Sequence, residues 1–131
     1  EYLASLSVNP SSAYRMLTDF VDLQEGDVII QNGANSMVGS CVYQMANAKG
    51  IKVINVIRGR FSFYFFLLIL SRSDFDELAE HMKSYGAYMV VSDNELPTKQ
   101  FRDLIADLPK PKLALNMTGG STATDIARLL G

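Results

Sequence analysis

The chain has 131 residues, of which 48% are hydrophobic and 20% are charged, and its formal net charge is −2. This length and composition predict one globular domain with a substantial buried core. The small net charge gives no indication of binding to nucleic acid or to an anionic membrane, and the single cysteine excludes an internal disulfide.

The first half of the chain predicts two helix–strand pairs. Asn9 and Pro10 suit the N-cap and the first position of a helix that runs to about Phe20. Its apolar face would combine Tyr14, Leu17 and Val21. A turn at 24–27 leads into a buried strand, a helix covers 37–49 up to a stop at Gly50, and a second strand covers 52–57.

The second half continues the alternation. The pattern predicts a helix over 73–85, a strand over 88–91, a helix over 98–107, a strand over 112–117 and a last helix over 121–130. Strands that alternate with helices indicate an α/β fold, a Rossmann-like, doubly wound parallel sheet covered by helices on both faces. We expect residues 1–131 to form this single domain.

One apolar segment does not fit the alternation. Phe61 to Leu70 (FSFYFFLLIL) is too short to span a bilayer as a helix, which needs about 20 apolar residues. It is interpreted as an insertion near 61–72 with a structural or oligomeric effect. A retained stretch of non-coding sequence is the alternative.

The segment Gln31 to Gly39 (QNGANSMVG) predicts a nucleotide-binding turn. It joins the first buried strand to the helix that begins at Met37, and Gly33, Ser36 and Gly39 occupy the three positions of the G-x-G-x-x-G fingerprint. A small-residue turn lets the backbone and the helix N-terminus approach a pyrophosphate. A plain strand-to-helix connection is the alternative.

The end of the second strand predicts the cofactor. In a dinucleotide fold this position faces the adenosine ribose, where an acidic residue favours NAD. This chain has Arg58, Gly59 and Arg60 there, and a guanidinium suits a 2′-phosphate. The residues therefore favour NADPH, unless both arginines are merely solvated charges.

No metal or hydrolase site is predicted. Cys41 falls in a helical pattern beside Val42 and Met45, which indicates a position in or near the core. His81, the single histidine, falls in a charged amphipathic helix, where we expect it to be solvated. One cysteine and one distant histidine do not make a zinc cluster.

Four segments together resemble the mitochondrial trans-2-enoyl thioester reductases, zinc-independent members of the medium-chain dehydrogenase/reductase superfamily. These segments are Val8 to Leu17 (VNPSSAYRML), Gly26 to Gly39 (GDVIIQNGANSMVG), Ile54 to Arg60 (INVIRGR) and Leu113 to Gly120 (LALNMTGG). The resemblance covers nearly the whole chain except 61 to about 72.

The resemblance implies an oxidoreductase that uses NADPH to reduce the 2,3 double bond of enoyl thioesters, on coenzyme A or acyl carrier protein, in mitochondrial fatty acid synthesis. It implies a homodimer for the full-length enzyme and no membrane span. The family's cofactor contacts map onto Asn9, onto Asn35, Ser36, Met37 and Val38, and onto Arg58, Gly59 and Arg60.

Two departures from the family pattern concern the cofactor site. Met37 stands where the family commonly has glycine, and its side chain either crowds the diphosphate or leaves it unaffected. The insertion follows Arg60 directly, so Arg72 is an alternative counterpart of the second arginine.

The family's catalytic tyrosine lies in another domain, and no tyrosine here matches its motif. We therefore expect a cofactor-binding domain, truncated at its C-terminal end, that is inactive alone and contains no catalytic residue. A quinone or alkene reductase of the same superfamily, and a non-catalytic interaction module, are the alternative functions.

Overall fold

The computed structural model describes residues 2–58 and 72–130, with side chains for 9–58 and 76–130. Gly59, Arg60 and residues 61–71 of the predicted insertion lie outside these residues. In chain order the elements are α1 (Tyr2–Thr18), β1 (Val28–Asn32), α2 (Met37–Ala48), β2 (Lys52–Ile57), α3 (Arg72–Ser84), β3 (Met89–Ser92), a 3-10 turn (Asp93–Glu95), α4 (Lys99–Ile105), β4 (Leu113–Leu115) and α5 (Ser121–Ala127).

The described strands form one parallel sheet in the order β3-β2-β1-β4. Asn32 at the end of β1 is in register with Val56 of β2, and Gln31 is in register with Leu115 of β4. The chain therefore moves outward from β1 through β2 to β3, and then crosses back to place β4 on the other side of β1. This order and the parallel pairing confirm the predicted Rossmann-like fold.

Side chains that alternate along the strands build two cores. On one face Ile29 and Val53 pack with residues of α1, α2 and α3, including Leu17, Val42 and Met82. On the other face the strands pack against α4 and α5, and this core contains Val28, Ile30, Ile54, Phe101 and Ile126. Helices thus cover both faces, as strands buried on both sides require.

The first helix differs from its prediction. α1 begins at Tyr2, so Asn9 and Pro10 lie inside it and not at its N-cap and first position. Proline removes one backbone hydrogen bond, but the preceding segment is rich in leucine and alanine, which favour the helix. The predicted face is also wrong in part, because Tyr14 is 55% exposed and the buried pair is Ala13 and Leu17.

The fourth strand is shorter than predicted. It ends at Leu115, because the N–H of Met117 donates to the side chain of Asn32 and not to a neighbouring strand. The other helices and strands lie where they were predicted, with ends shifted by a few residues.

Cys41 and His81 lie as predicted. Cys41 is half-buried against the core that faces α1 and α2. His81 is exposed, and its ring makes an edge contact with Tyr85 at 4.9 Å between centroids.

A charged contact joins the amino ends of β1 and β4. The Asp27 carboxylate accepts hydrogen bonds from the Gln24 N–H at 2.7 Å and from the Lys112 ammonium at 2.9 Å. The Gln24 N–H and then Lys112 hold the pKa of Asp27 below its ordinary value. This contact lies at the edge of the sheet opposite to the strand carboxyl ends.

Candidate functional site

A tight turn connects β1 to α2. Gly33 adopts a left-handed conformation with φ +61°, and its carbonyl accepts the Ser36 N–H at 3.0 Å. Ser36 is the N-cap of α2, and its hydroxyl accepts the Gly39 N–H at 3.1 Å. Within the described part of the chain, the N–H groups of Met37 and Val38 have no acceptor. The turn therefore presents the free end of α2 at the carboxyl edge of the sheet.

Two glycines of the turn have no room for a side chain, Gly39 because of nearby backbone and Gly33 because of nearby side chains in addition to its left-handed φ. A Cβ at Gly39 would lie 2.7 Å from the carbonyl oxygen of Ala34, closer than any side chain tolerates. A Cβ at Gly33 would lie 2.9 Å from Cγ2 of Thr118. These contacts bring α2 against the turn and bring the loop after β4 against Gly33.

A cleft of about 220 Å³ opens at the carboxyl ends of the strands. It lies where the strand order reverses between β1 and β4, the topological switch point at which open α/β sheets bind ligands. It is lined by residues at or just after the carboxyl ends of β1 and β2, and by residues of the segments that follow β3 and β4. These are Asn32, Gly33, Val56, Ile57, Arg58, Asp93, Thr118, Gly119, Gly120, Ser121 and Thr122.

Arg58 is the cation of this lining. It directly follows β2, is exposed, and lies at the same sheet edge as the turn because Asn32 and Val56 are in register. Asp93 contributes the carboxylate, from the turn that follows β3. The cleft therefore combines a guanidinium with backbone of two glycine-containing loops, an arrangement that suits a phosphorylated ligand.

The structure brings together only some of the predicted site residues. Arg58 lines the cleft, and Asn35, Ser36, Met37 and Val38 form the turn beside it. Met37 is 63% exposed and does not line the cleft. Asn9 is half-buried within α1 and does not line the cleft either. Gly59 and Arg60 fall outside the described residues.

Sequence reasoning missed the wall that the loop after β4 provides. Thr118, Gly119 and Gly120 line the cleft, and both glycines have left-handed φ angles, +70° and +72°. The glycine pair after a strand was the available signal, because carboxyl ends of parallel strands meet at one edge.

Two further features bear on the class of site. The described residues contain no group of three or more metal-ligating side chains. No helix among them is long and apolar enough to cross a membrane.

No protein-family model matches the chain. Individual proteins do match it along nearly its whole length. A mitochondrial enoyl-[acyl-carrier-protein] reductase of Dictyostelium discoideum is 50% identical over 130 residues, which is 99% of this chain and 34% of that protein. The chain thus spans about a third of the length of the curated relatives that it matches.

Solved structures of 2-enoyl thioester reductases are also similar to this chain along nearly its whole length. The mitochondrial 2-enoyl thioester reductase Etr1p/Etr2p heterodimer from Candida tropicalis superposes with a TM-score of 0.82 at 36% identity, over 98% of this chain and 34% of that chain. The complex of Etr1p with NADP and crotonyl-CoA gives a TM-score of 0.82 at 35% identity, over 98% and 34% of the two chains.

Proposed function

The chain belongs to the mitochondrial enoyl thioester reductases of the medium-chain dehydrogenase/reductase superfamily, and on that premise we propose that it is their NADPH-binding domain. The whole protein would reduce the 2,3 double bond of trans-2-enoyl thioesters in mitochondrial fatty acid synthesis. The observation that carries this proposal is the cleft at the switch point, with the capped turn on one side and Arg58 on another.

The residues present fit a dinucleotide phosphate. At Gly33 and Gly39 the turn has no room for a side chain, and a bare backbone at such positions lets a pyrophosphate approach closely. The N–H groups of Met37 and Val38 would donate to the diphosphate, while Ser36 orients them by capping α2. Asn35 would complete this turn.

The cofactor specificity is assigned to the end of β2. Arg58 would donate hydrogen bonds to the 2′-phosphate, with Gly59 and Arg60 beside it in sequence. A contact between Asn9 and the nicotinamide side stays a prediction. When bound, NADPH supplies the hydride that adds to the β-carbon of the enoyl thioester, and no catalytic residue of this chain is assigned.

The substrate and assembly of the whole protein follow from the same premise. The Etr1p complex contains crotonyl-CoA, and the Etr1p/Etr2p protein is a heterodimer, which supports an enoyl thioester substrate and a two-chain assembly. The high identity to enoyl reductases favours this substrate over a quinone. The names of the relatives support a mitochondrial location.

Calorimetric titration of this chain with NADPH and with NADH tests the proposal. We expect saturable binding of NADPH and at least about tenfold weaker binding of NADH, because a charge-assisted bond to the 2′-phosphate is absent from NADH. Binding of neither dinucleotide by a folded chain would contradict the assignment.

A further inference from the structure

We propose that Asn32 is a positioning residue for the dinucleotide, and that it acts through Asn116 by holding the loop after β4 in the shape that walls the cleft. We call this pair the asparagine clasp. The inference rests on the proposed function, because it concerns how the same cleft is made ready for its ligand.

The clasp is centred on the last residue of β1. Asn32 is buried, with 1% of its surface exposed. Its Nδ2 donates to Oδ1 of Asn116 at 2.8 Å, and its Oδ1 accepts the N–H groups of Met117 and Thr118. One side chain therefore satisfies two backbone groups and one side chain of a loop more than eighty residues away in sequence.

Asn116 extends the clasp to the glycines. Its Oδ1 also accepts the Gly119 N–H at 2.8 Å. Oδ1 of Asn116 thus accepts hydrogen bonds from both Asn32 Nδ2 and the Gly119 N–H, so Asn32 is the donor of the asparagine pair and Asn116 is the acceptor. The orientation of the Asn32 amide is set by the same pattern, since a flipped amide would place its NH₂ group against two N–H donors.

The hydrogen bonds between β1 and β4 do not extend to the loop that the clasp holds. Pairing between β1 and β4 joins Ile29 to Leu113, Ile30 to Ala114 and Gln31 to Leu115, and it ends there. Residues 116–119 lie beyond the ladder, and the described contacts that hold their backbone to β1 are those of Asn32. The clasp can therefore be lost while the sheet is kept.

The held loop is part of the cleft wall. Thr118 and Gly119 line the cleft, and Thr118 packs against Gly33 so closely that a Cβ on that glycine would collide with it. The clasp thus fixes the spacing between the turn after β1 and the loop after β4. A loop that is ordered beforehand does not have to be ordered by the ligand, which strengthens binding.

Three variants of this chain separate the donor from the acceptor. Asn116→Ala removes the acceptor at an exposed position, where folding is expected to be retained. Asn116→Asp keeps a carboxyl oxygen that can accept both bonds. Asn32→Asp adds the same charge but replaces the donor by an acceptor that faces Oδ1 of Asn116. Gln44→Ala, on the exposed side of α2, is a neutral control.

Two measurements are made on each folded variant. Amide hydrogen exchange of the ligand-free chain reports on the loop at Met117, Thr118 and Gly119. Calorimetric titration reports on NADPH. We expect Asn116→Ala and Asn32→Asp to speed Gly119 exchange and to raise the Kd by about fivefold or more, the effect of losing one net hydrogen bond.

Asn116→Asp is expected to keep the slow exchange of Gly119 and to bind NADPH more tightly than Asn116→Ala. Tighter binding by Asn116→Asp than by Asn116→Ala would identify the hydrogen bonds accepted by residue 116 as the cause. The added negative charge alone would repel the phosphates and make Asn116→Asp the weaker binder. If Asn32→Asp does not fold, the comparison of the two Asn116 variants decides by itself.

The outcomes distinguish this inference from the proposed function. Unchanged affinity in Asn116→Ala, together with NADPH binding by the original chain, overturns the positioning role and leaves the proposed function standing. Failure of the original chain to bind NADPH overturns the proposed function and the inference that rests on it. Fast exchange of Gly119 in the original chain overturns the clasp regardless of binding.

Discussion

Gly39 of α2 lies so close to Ala34 that a Cβ on the glycine would be 2.7 Å from the carbonyl oxygen of Ala34 and 2.8 Å from its Cα. Ala34 is itself completely buried, and its N–H donates to the carbonyl of Val56 in β2. The helix, the turn and the second strand are therefore locked together at this glycine. Neither the alanine backbone nor the helix can move away without breaking a described contact.

Gly39→Ala is expected to destabilise the chain by about 1–3 kcal/mol, since an added methyl group in a closed contact forces the backbone to shift. The measurement is urea-induced unfolding, with Gln44→Ala in the same helix as the control at an exposed position. Equal stability of the two variants would contradict the close contact.

Ser36→Ala should cost about 1 kcal/mol of stability and also weaken NADPH binding, because the cap both satisfies Gly39 and orients the start of α2. Thr98→Ala is the matched control. Thr98 caps α4 through the Phe101 N–H in the same way, but it is not part of the turn between β1 and α2 that lies beside the cleft. We expect similar losses in thermal stability and a loss of affinity in the serine variant alone. A loss in both would show that affinity merely follows stability.

Arg58→Ala should weaken binding of NADPH by about tenfold and leave binding of NADH nearly unchanged, since only NADPH carries the 2′-phosphate. The NADPH affinity of Arg58→Lys should fall between those of the original chain and Arg58→Ala, because an ammonium does not reproduce the bidentate geometry of a guanidinium. Arg102→Ala removes an exposed arginine of α4 that does not line the cleft, and controls for net charge. The same loss for both dinucleotides would point away from phosphate recognition.

The Asp27 contact predicts acid sensitivity. The pKa of Asp27 is lower in the folded chain than its ordinary value of 3.8, so the carboxylate stabilises the fold above that value. This contribution is lost as the pH falls through the lowered pKa. The free energy of unfolding, measured with urea between pH 6 and roughly pH 2, should therefore fall as the pH drops below about 4. This fall should be smaller in Asp27→Asn.

Asp107→Asn is the control for this experiment, because Asp107 is exposed and takes no part in the contact with Lys112. If both variants keep the slope of the original chain, the acid sensitivity has another origin.

The chain alone should not reduce crotonyl-CoA with NADPH at a rate above background. The resemblance places the catalytic tyrosine in another domain of the family, so the cofactor would be bound without a partner for the reaction. Consumption of NADPH is followed by its absorbance, with the full-length protein as the positive control. Steady turnover by this chain would show that the reaction needs less of the protein than we propose.

The local patterns of the chain determined most of its helices and strands and the position of the turn between β1 and α2. Runs such as Val28 to Ile30 and Val53 to Ile57 predict buried strands because both faces of a parallel sheet are covered. Gly33 and Gly39 marked the turn, and Arg58 was placed at the cleft from its position after β2. Such short-range signals are sufficient because a strand, a tight turn and a helix that follow one another in sequence form a local unit.

The tertiary structure alone decided the other wall of the site. Asn32 and Asn116 each look like ordinary turn residues in sequence, and nothing local joins positions 84 residues apart. Their contact exists because the crossover places β4 beside β1, and this strand order depends on how the whole sheet packs. α1 is also longer than predicted: it begins at Tyr2 and continues through Pro10, where the sequence had predicted its start. Hydrogen bonds between distant residues depend on topology, and topology is set by burial of both sheet faces.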